Sequence, residues 1–173
     1  MIDTEFTASQ ITDQLYIGNL SSVMNLDSMK ANQFTHVLSI MNGGYAVYPE
    51  HFTYKVIHIN DDPWVAIEKY FEESIQFIGS CLEKKENKLI VHCHQGVSRS
   101  VSIVVAYLLW KKNNVEKILQ NDVADEVQHM IQFVHSKRNV ANPNIGFVNA
   151  LENYIARINN YPLNNTYNCA DNT

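Results

Sequence analysis

The stretch KLIVHCHQGVSRSVSIVVAYLLW, residues 88–110, decides the fold. Leu89-Ile90-Val91 is a short apolar run bounded by polar residues, which is typical of a strand buried on both faces. A compact loop around Gly96 follows, and the segment 99–110 is apolar almost all round, which predicts a buried helix. A strand, a tight turn and a helix N-terminus favour anion binding, because the loop N–H groups and the unpaired helix donors face one point.

The two ends of this loop carry the reactive groups. Cys93 and Arg99 enclose five residues. A thiol with an ordinary pKa near ~8.5 falls to roughly 3.5–7.5 at a helix N-terminus near cations, so we expect Cys93 to be a thiolate nucleophile. Arg99 offers a planar fork that matches two phosphate oxygens. Gly96 allows the backbone to adopt a positive φ and approach a ligand closely.

Two neighbours of the loop complete the predicted site. The position of His92, directly before the cysteine, suits a residue that orients the sulfur. The Ser100 hydroxyl can donate a hydrogen bond to the sulfur when it departs as a leaving group.

The run His92-Cys93-His94-Gln95-Gly96-Val97-Ser98-Arg99-Ser100 resembles the Cys-x5-Arg loop of protein tyrosine phosphatases, in the form found in the dual-specificity branch. Residues 11–19 (ITDQLYIGN) and the segment Asn142-Pro143-Asn144 resemble the same family, so the resemblance covers residues 11–158. It implies hydrolysis of phosphotyrosine, phosphoserine and phosphothreonine through a phosphocysteine on Cys93, with Ser100 as a further catalytic residue and without a metal or cofactor. The residues implied to bind the phosphate are His94, Gln95, Gly96, Val97, Ser98 and Arg99.

The resemblance also implies a general acid on an upstream loop, where Asp61 and Asp62 are adjacent. In the family this acid precedes an aromatic pair, here Tyr70-Phe71, at a distance that favours Asp61. Asp62 precedes Pro63 and is the better N-cap for the helix that apolar periodicity predicts over residues 65–85. Asp61 is therefore the predicted acid, with Asp62 as the alternative.

Composition limits the class of protein. The chain has 173 residues, 46% of them hydrophobic, and a formal charge of −5, which favours one globular domain and argues against general nucleic-acid or membrane binding. Cys81, Cys93 and Cys169 are an odd set without disulfide or metal spacing. No signal peptide or apolar span is evident, and we expect a cytoplasmic protein, with the nucleus as an alternative.

The remaining pattern predicts the fold. Strands are expected at residues 11–19, 35–41 and 54–59, a short helix at 22–32, two helices between Val115 and Val134, and a last helix up to Ile158. The order of strands and helices predicts an α/β domain, and the resemblance implies a mostly parallel or mixed sheet of four to five strands with helices on both faces. We expect a catalytic domain over residues 1–158 and a mobile Asn-rich tail over 159–173.

Two alternative functions stay open on the sequence alone. One is a phosphoprotein-binding module with little turnover, which would lack the nucleophile, the arginine or the acid. The other is the same chemistry on an RNA 5′-phosphate, a glycan or a phosphoinositide; the uncharged residues inside the loop suit a polyanionic inositol poorly. The implied partner is a phosphorylated protein, with MAP kinases as one candidate class, and a role in signalling.

Overall fold

The structure is a computed structural model that describes residues 6–161. Its strands are β1 (Ser9–Gln10), β2 (Leu15–Gly18), β3 (His36–Ile40), β4 (Thr53–Ile57) and β5 (Leu89–His92). They form one five-stranded sheet in the order β1-β2-β5-β3-β4. The pair β1–β2 is antiparallel, and the other neighbouring pairs are parallel. This sheet confirms the predicted α/β class and its mixed sheet of four to five strands.

Six α-helices cover the two faces of the sheet. They are α1 (Leu20–Met24), α2 (Leu26–Ala31), α3 (Phe71–Leu82), α4 (Arg99–Val115), α5 (Val123–Lys137) and α6 (Ile145–Ile158). Val23 and Met29 of α1 and α2 pack with Val37 and Ile90 on one face. The helices α3 to α6 pack on the other face, in the larger core. Because side chains alternate along a strand, β5 is buried on both faces, as its apolar run predicted.

The N-terminal third differs from its prediction in two places. Of the strand expected over residues 11–19, only β2 is extended. Residues 11–14 form a turn that joins β1 to β2 in a hairpin, and the N–H of Ile11 donates to the Leu15 carbonyl at 2.8 Å. The expected single helix over residues 22–32 is interrupted at Asn25, whose side chain accepts from the Ser28 N–H at 3.0 Å. Asn25 thus caps a second helix where the apolar spacing alone suggested a continuous one.

The prediction that Asp62 caps a helix starting near residue 65 is wrong. A 3-10 turn occupies Ile67–Tyr70 and α3 begins only at Phe71, neither with a side-chain cap. Asp62 Oδ1 instead accepts from the backbone N–H of Trp64 at 2.9 Å, which stabilises a local turn. The residues between Asp62 and Ile67 are therefore a loop and not the first turn of a helix.

The segment after Trp110 also departs from the expected pair of helices over 115–134. The helix α4 runs on to Val115, and a 3-10 turn at Gln120–Asp122 leads into a single long α5. Val115 and Leu119, predicted on the buried face, are 87% and 61% exposed. Asn113 accounts for this end, because its side-chain oxygen accepts the N–H of Ile118 at 2.9 Å and turns the chain away from the helix axis.

The predicted tail boundary at residue 158 lies inside packed structure. Asn159 is buried and donates through Nδ2 to Asn113 Oδ1 at 2.9 Å, and the Tyr161 hydroxyl donates to the Ile118 carbonyl at 3.0 Å. The rest of the predicted tail, with Cys169, lies outside the described residues. Between residues 6 and 161, no helix is both long enough and apolar enough to cross a bilayer.

Candidate active site

Cys93 lies directly after β5, at the carboxyl edge of the parallel strands, and its side chain is buried. The Gly96 N–H donates to its Sγ at 3.2 Å, and the Ser100 Oγ lies 3.3 Å from the same atom. The thiol is therefore surrounded by the loop that follows it and by the first turn of α4.

This environment favours the thiolate. Burial alone would raise the pKa of Cys93, but the Ser100 hydroxyl, the backbone N–H groups of Ser100 and Val97 and the positive charge of Arg99 outweigh it. The net effect lowers the pKa of Cys93 below its ordinary value. A lowered pKa is the property required of a nucleophilic cysteine at neutral pH.

The carbonyl groups of the loop point away from its centre, and each one has a specific partner. Three of the carbonyls accept from backbone N–H groups: His94 from Leu20 at 3.1 Å, Val97 from Asn142 at 2.8 Å, and Ser98 from Ser102 at 2.8 Å. The carbonyls of Gln95 and Gly96 accept from the Arg138 side chain. With the carbonyls turned outward, the N–H groups of the same peptides converge on the inside. Such a ring of N–H groups binds an oxyanion.

Arg138 is a functional residue that the sequence analysis did not identify. It is 6% exposed, and its Nε donates to the Gly96 carbonyl at 2.6 Å and its Nη2 to the Gln95 carbonyl at 3.2 Å. Its Nη1 donates to the Thr7 carbonyl at 2.8 Å and so ties the loop to the N-terminal segment. Its only signal in the sequence is a single arginine after a long helical segment, which gives no indication of burial.

Gly96 is required by this packing. Its φ is +68°, and a Cβ at this position would overlap the carbonyl oxygen of Gly18 and the guanidinium of Arg138. Any other residue would be strained in backbone conformation and would push the loop off its support.

Arg99 lies near the thiol, and not all of its guanidinium N–H groups are used in hydrogen bonds. Its side chain is 12% exposed, and its Nη1 donates to the Ile59 carbonyl at 3.1 Å. The Nε is buried and has no hydrogen-bond partner within the described chain. A buried guanidinium N–H without an acceptor is costly unless an anion occupies the site, so this donor fits a bound phosphate group.

Asp61 contacts the same loop from the side. Its Oδ1 accepts from the Ser98 hydroxyl at 2.7 Å and from Asn144 Nδ2 at 2.8 Å. Its Oδ2 lies 3.8 Å from Arg99 Nε. The structure thus brings Asp61 to the loop between Cys93 and Arg99, whereas the side chain of Asp62 accepts from the Trp64 N–H.

Asn144 and Ser98 act here in ways the sequence did not indicate. Asn144 is part of a segment noted only for its resemblance to the family, and its oxygen accepts the Phe147 N–H at 3.0 Å as the N-cap of α6. Its Nδ2 holds Asp61 at the same time. Ser98 is expected to bind phosphate, but its hydroxyl donates to Asp61, which leaves the backbone N–H of Ser98 for an anion.

His92 is buried at the end of β5, and its ring contacts the backbone carbonyl of Cys93. Its Nδ1 lies 3.3 Å from the Cys93 carbonyl oxygen. Burial lowers the pKa of His92 to about 4, so the ring is neutral at physiological pH. His94 and Gln95, by contrast, have exposed side chains and can contribute to the site through their backbone.

In residues 6–161 no group of three or more His, Cys, Asp and Glu side chains is arranged to hold a metal ion. The positive charge near the thiol comes from Arg99 and Arg138.

Comparison with known proteins shows the family of the chain. Residues 15–157 match the family model described as "Dual specificity phosphatase, catalytic domain". The chain is 36% identical over 144 residues to "Dual specificity protein phosphatase 1" of Arabidopsis thaliana, an alignment that covers 83% of this chain and 67% of that protein.

Two solved structures share the fold. The crystal structure of DUSP15 superposes with a TM-score of 0.74 at 30% identity and covers 87% of this chain and 88% of its own. That of a human tyrosine phosphatase-like serine/threonine/tyrosine-interacting protein gives a TM-score of 0.76 at 26% identity, with 89% and 99% covered.

Proposed function

Because the chain belongs to the dual specificity phosphatase family, we propose that Cys93 is its nucleophile, Arg99 its phosphate ligand and Asp61 its general acid. The chain is a cysteine-dependent protein phosphatase of the tyrosine and serine/threonine type. Each step of that reaction can be assigned to a residue of this chain.

In the first step the Cys93 thiolate attacks the phosphorus atom, and the bond from phosphorus to the ester oxygen breaks. The electron pair of that bond goes to the leaving oxygen, which takes a proton from Asp61. Since Oδ1 is held by Ser98 and Asn144, Oδ2 is the oxygen that delivers the proton. The products of this step are a phosphocysteine and the free hydroxyl of the substrate.

Charge on the phosphoryl oxygens is stabilised throughout by the loop. The N–H groups between His94 and Arg99 face the equatorial oxygens, and Arg99 supplies the unpartnered Nε. These donors are fixed by Arg138 and the other outward contacts before substrate arrives, so little reorganisation is required in the transition state.

In the second step water attacks the phosphocysteine. Asp61, now a carboxylate, takes a proton from this water, and the bond from sulfur to phosphorus breaks with its electron pair returning to sulfur. The Ser100 hydroxyl, 3.3 Å from Sγ, stabilises the departing thiolate. Inorganic phosphate leaves and the enzyme is restored.

One observation carries this proposal. The buried, free thiol of Cys93 and the Nε of Arg99 lie at the two ends of one loop whose carbonyl groups are held outward. That Nε makes no hydrogen bond within the described chain and has only a 3.8 Å ion pair with Asp61. A structural cysteine in an apolar core would have a raised pKa, as burial gives Cys81 a pKa of about 11. Cys93 has a lowered one.

The substrate and compartment belong to this proposal as well. The substrate is a phosphorylated protein in a signalling pathway, and a dually phosphorylated MAP kinase segment is a suitable first candidate. The compartment is the reducing cytoplasm or nucleus, because the reaction requires a free thiol at Cys93.

A panel of phosphorylated compounds tests the assignment. The purified chain should hydrolyse matched phosphotyrosine and phosphothreonine peptides with a chelator present, and Cys93→Ser and Arg99→Ala should lose this turnover while remaining folded. A Cys81→Ser variant, which changes the other buried free cysteine, is the matched control and should keep it. Turnover confined to phosphotyrosine, or faster turnover of an RNA 5′-phosphate, a phosphoglycan or an inositol phosphate, would contradict the proposed substrate class.

A further inference from the structure

Two buried polar atoms behind the nucleophile have no hydrogen-bond partner within the described chain. They are the Nε2 of His92, on β5, and the Oγ of Ser39, on β3. His92 is 1% exposed and Ser39 is fully buried. Leaving either group unpaired in the core is unfavourable, since buried polar groups are almost always hydrogen-bonded.

The sheet places these two residues side by side. The strands β3 and β5 are parallel neighbours, and Ser39 is the register partner of His92. Two residues earlier on the same strands, Val37 and Ile90 are also partners and pack in one core cluster. Side chains repeat their direction every second residue, so Ser39 and His92 share that face of the sheet, on strands about 4.8 Å apart.

Their hydrogen-bonding needs are complementary. His92 Nδ1 lies against the Cys93 carbonyl oxygen, which can only accept, so Nδ1 carries the proton of the neutral ring. The Nε2 is then an acceptor that needs a donor. The hydroxyl of Ser39 is a donor that needs an acceptor.

Of the two residues paired with His92 on the neighbouring strands, only Ser39 has a side chain that can bind the ring. Its partner on the other side, in β2, is Gly18. Gly44 covers Ser39, since a Cβ on Gly44 would lie 2.9 Å from the Ser39 Oγ. The pKa of His92 is set by burial and by the hydrogen bond with the Cys93 carbonyl, and no charged group contributes to it. The two nearby arginines, Arg99 and Arg138, interact electrostatically with the Cys93 thiolate instead.

We propose that the Ser39 hydroxyl donates to His92 Nε2 through one buried water molecule and thereby fixes the ring in the Nδ1–H tautomer that holds the Cys93 carbonyl. Ser39 is thus a positioning residue. It acts on the nucleophile through His92, from a strand that contributes nothing else to the site. This inference rests on the proposed function only where the thiolate is assigned as the nucleophile.

The first test needs no turnover. The nitrogen-15 NMR signals of the His92 ring in the wild-type protein should show the Nδ1–H tautomer between pH 6 and 8, with Nε2 shifted by an accepted hydrogen bond. An Nε2–H tautomer would overturn the proposal, because Ser39 could not then donate to that atom.

The second test compares two buried serines. Ser39→Ala removes the proposed donor, and Ser74→Ala removes an equally buried, unpartnered hydroxyl on α3 and is the control. In Ser39→Ala the pKa of Cys93, measured from the pH dependence of its alkylation rate, should rise by about half a unit. The kcat/KM for a small aryl phosphate should fall roughly threefold to tenfold, as when one hydrogen bond behind a catalytic group is lost.

A structural role alone gives a different outcome. Ser39→Thr keeps the hydroxyl and should restore the alkylation profile, and Ser74→Ala should leave it unchanged. The proposal is overturned if Ser39→Ala and Ser74→Ala lose similar stability and both keep the wild-type alkylation profile. If Cys93 proves not to be the nucleophile, the ring tautomer and the alkylation profile still report on the link between Ser39 and His92.

Discussion

The Ser98 hydroxyl donates to Asp61 Oδ1 at 2.7 Å, so the proposed general acid is tied to the phosphate loop itself. Asn144 Nδ2 contacts the same oxygen at 2.8 Å from the start of α6. Asp61 lies in an irregular loop, so these two hydrogen bonds to its side chain fix the distance of its carboxyl group from Cys93.

Removing these contacts should disturb proton delivery while leaving thiolate attack intact. We expect Ser98→Ala combined with Asn144→Ala to lower kcat roughly tenfold for alkyl and tyrosyl phosphates, whose leaving groups need a proton. Aryl phosphates with weakly basic leaving groups should be hydrolysed nearly as fast as by the wild type. A steady-state comparison across leaving groups measures this, and an equal loss on all substrates would mean that the contacts serve the loop and not Asp61.

The two adjacent aspartates should differ sharply. Asp61→Asn should slow phosphotyrosine hydrolysis by roughly 10²- to 10⁴-fold and flatten the alkaline limb of the rate profile. Asp62→Asn is the matched control and should keep normal leaving-group dependence. Because Asp62 supports only an exposed local turn, Asp62→Ala should cost about 0.5 kcal/mol or less of unfolding free energy, as for other surface substitutions. The reverse pattern of leaving-group dependence would assign the acid to Asp62.

The buried histidine should make the fold sensitive to acid. His92 has an ordinary pKa of 6.5 and a pKa of about 4 in the folded chain, where burial disfavours the charged ring. As pH falls below 6.5, His92 becomes protonated in the unfolded chain, whereas in the folded chain it stays neutral down to about pH 4. The unfolding free energy should therefore fall across this window by up to about 3 kcal/mol. Denaturant titrations of wild type and His92→Gln measure the difference, and parallel pH dependences would show that His92 is not the source of this acid sensitivity.

Arg138 should act through the shape of the loop. A lysine at position 138 cannot reproduce the guanidinium fork that contacts the carbonyls of Gly96, Gln95 and Thr7. We therefore expect Arg138→Lys to lower the affinity of the loop for oxyanions and to reduce the unfolding free energy by about 2–4 kcal/mol. Competitive inhibition by vanadate, with its inhibition constant compared between variants, reports on the loop. Arg157→Lys, on an exposed ion pair with Glu68 and Glu72, is the control and should change neither quantity appreciably. Unchanged vanadate affinity in Arg138→Lys would show that the loop holds its shape without this residue.

The central strand, loop and helix were predictable because one short segment carries its own signals. The apolar run of β5, Gly96 and the apolar start of α4 each satisfy a local rule, and the structure follows all of them. Asp62 was misread because its Asx contact to Trp64 and a helix cap have the same sequence signature, an aspartate before a proline.

The contacts that complete the site are distant in the chain, and no local pattern indicates them. Arg138 lies 42 residues from Gly96, and Asn144 lies 83 residues from Asp61. An arginine in a polar stretch gives no sign that it will be buried under a loop. Val115 and Leu119 fitted the helical period and are exposed, because Asn113 ends the helix by a side-chain contact that periodicity does not record.

The most direct test of the phosphocysteine mechanism is a rapid acid quench of Ser100→Ala with p-nitrophenyl phosphate. This variant lacks the hydroxyl 3.3 Å from Cys93 Sγ, which both lowers the pKa of the thiol and assists its departure, so at a pH at which Cys93 is ionised the second step should become limiting. We expect a burst of nitrophenol that matches the enzyme concentration, together with a phosphoryl group on the peptide that contains Cys93. Turnover without any phosphorylated enzyme, or a phosphoryl group on another residue while Cys93→Ser remains active, would contradict this mechanism.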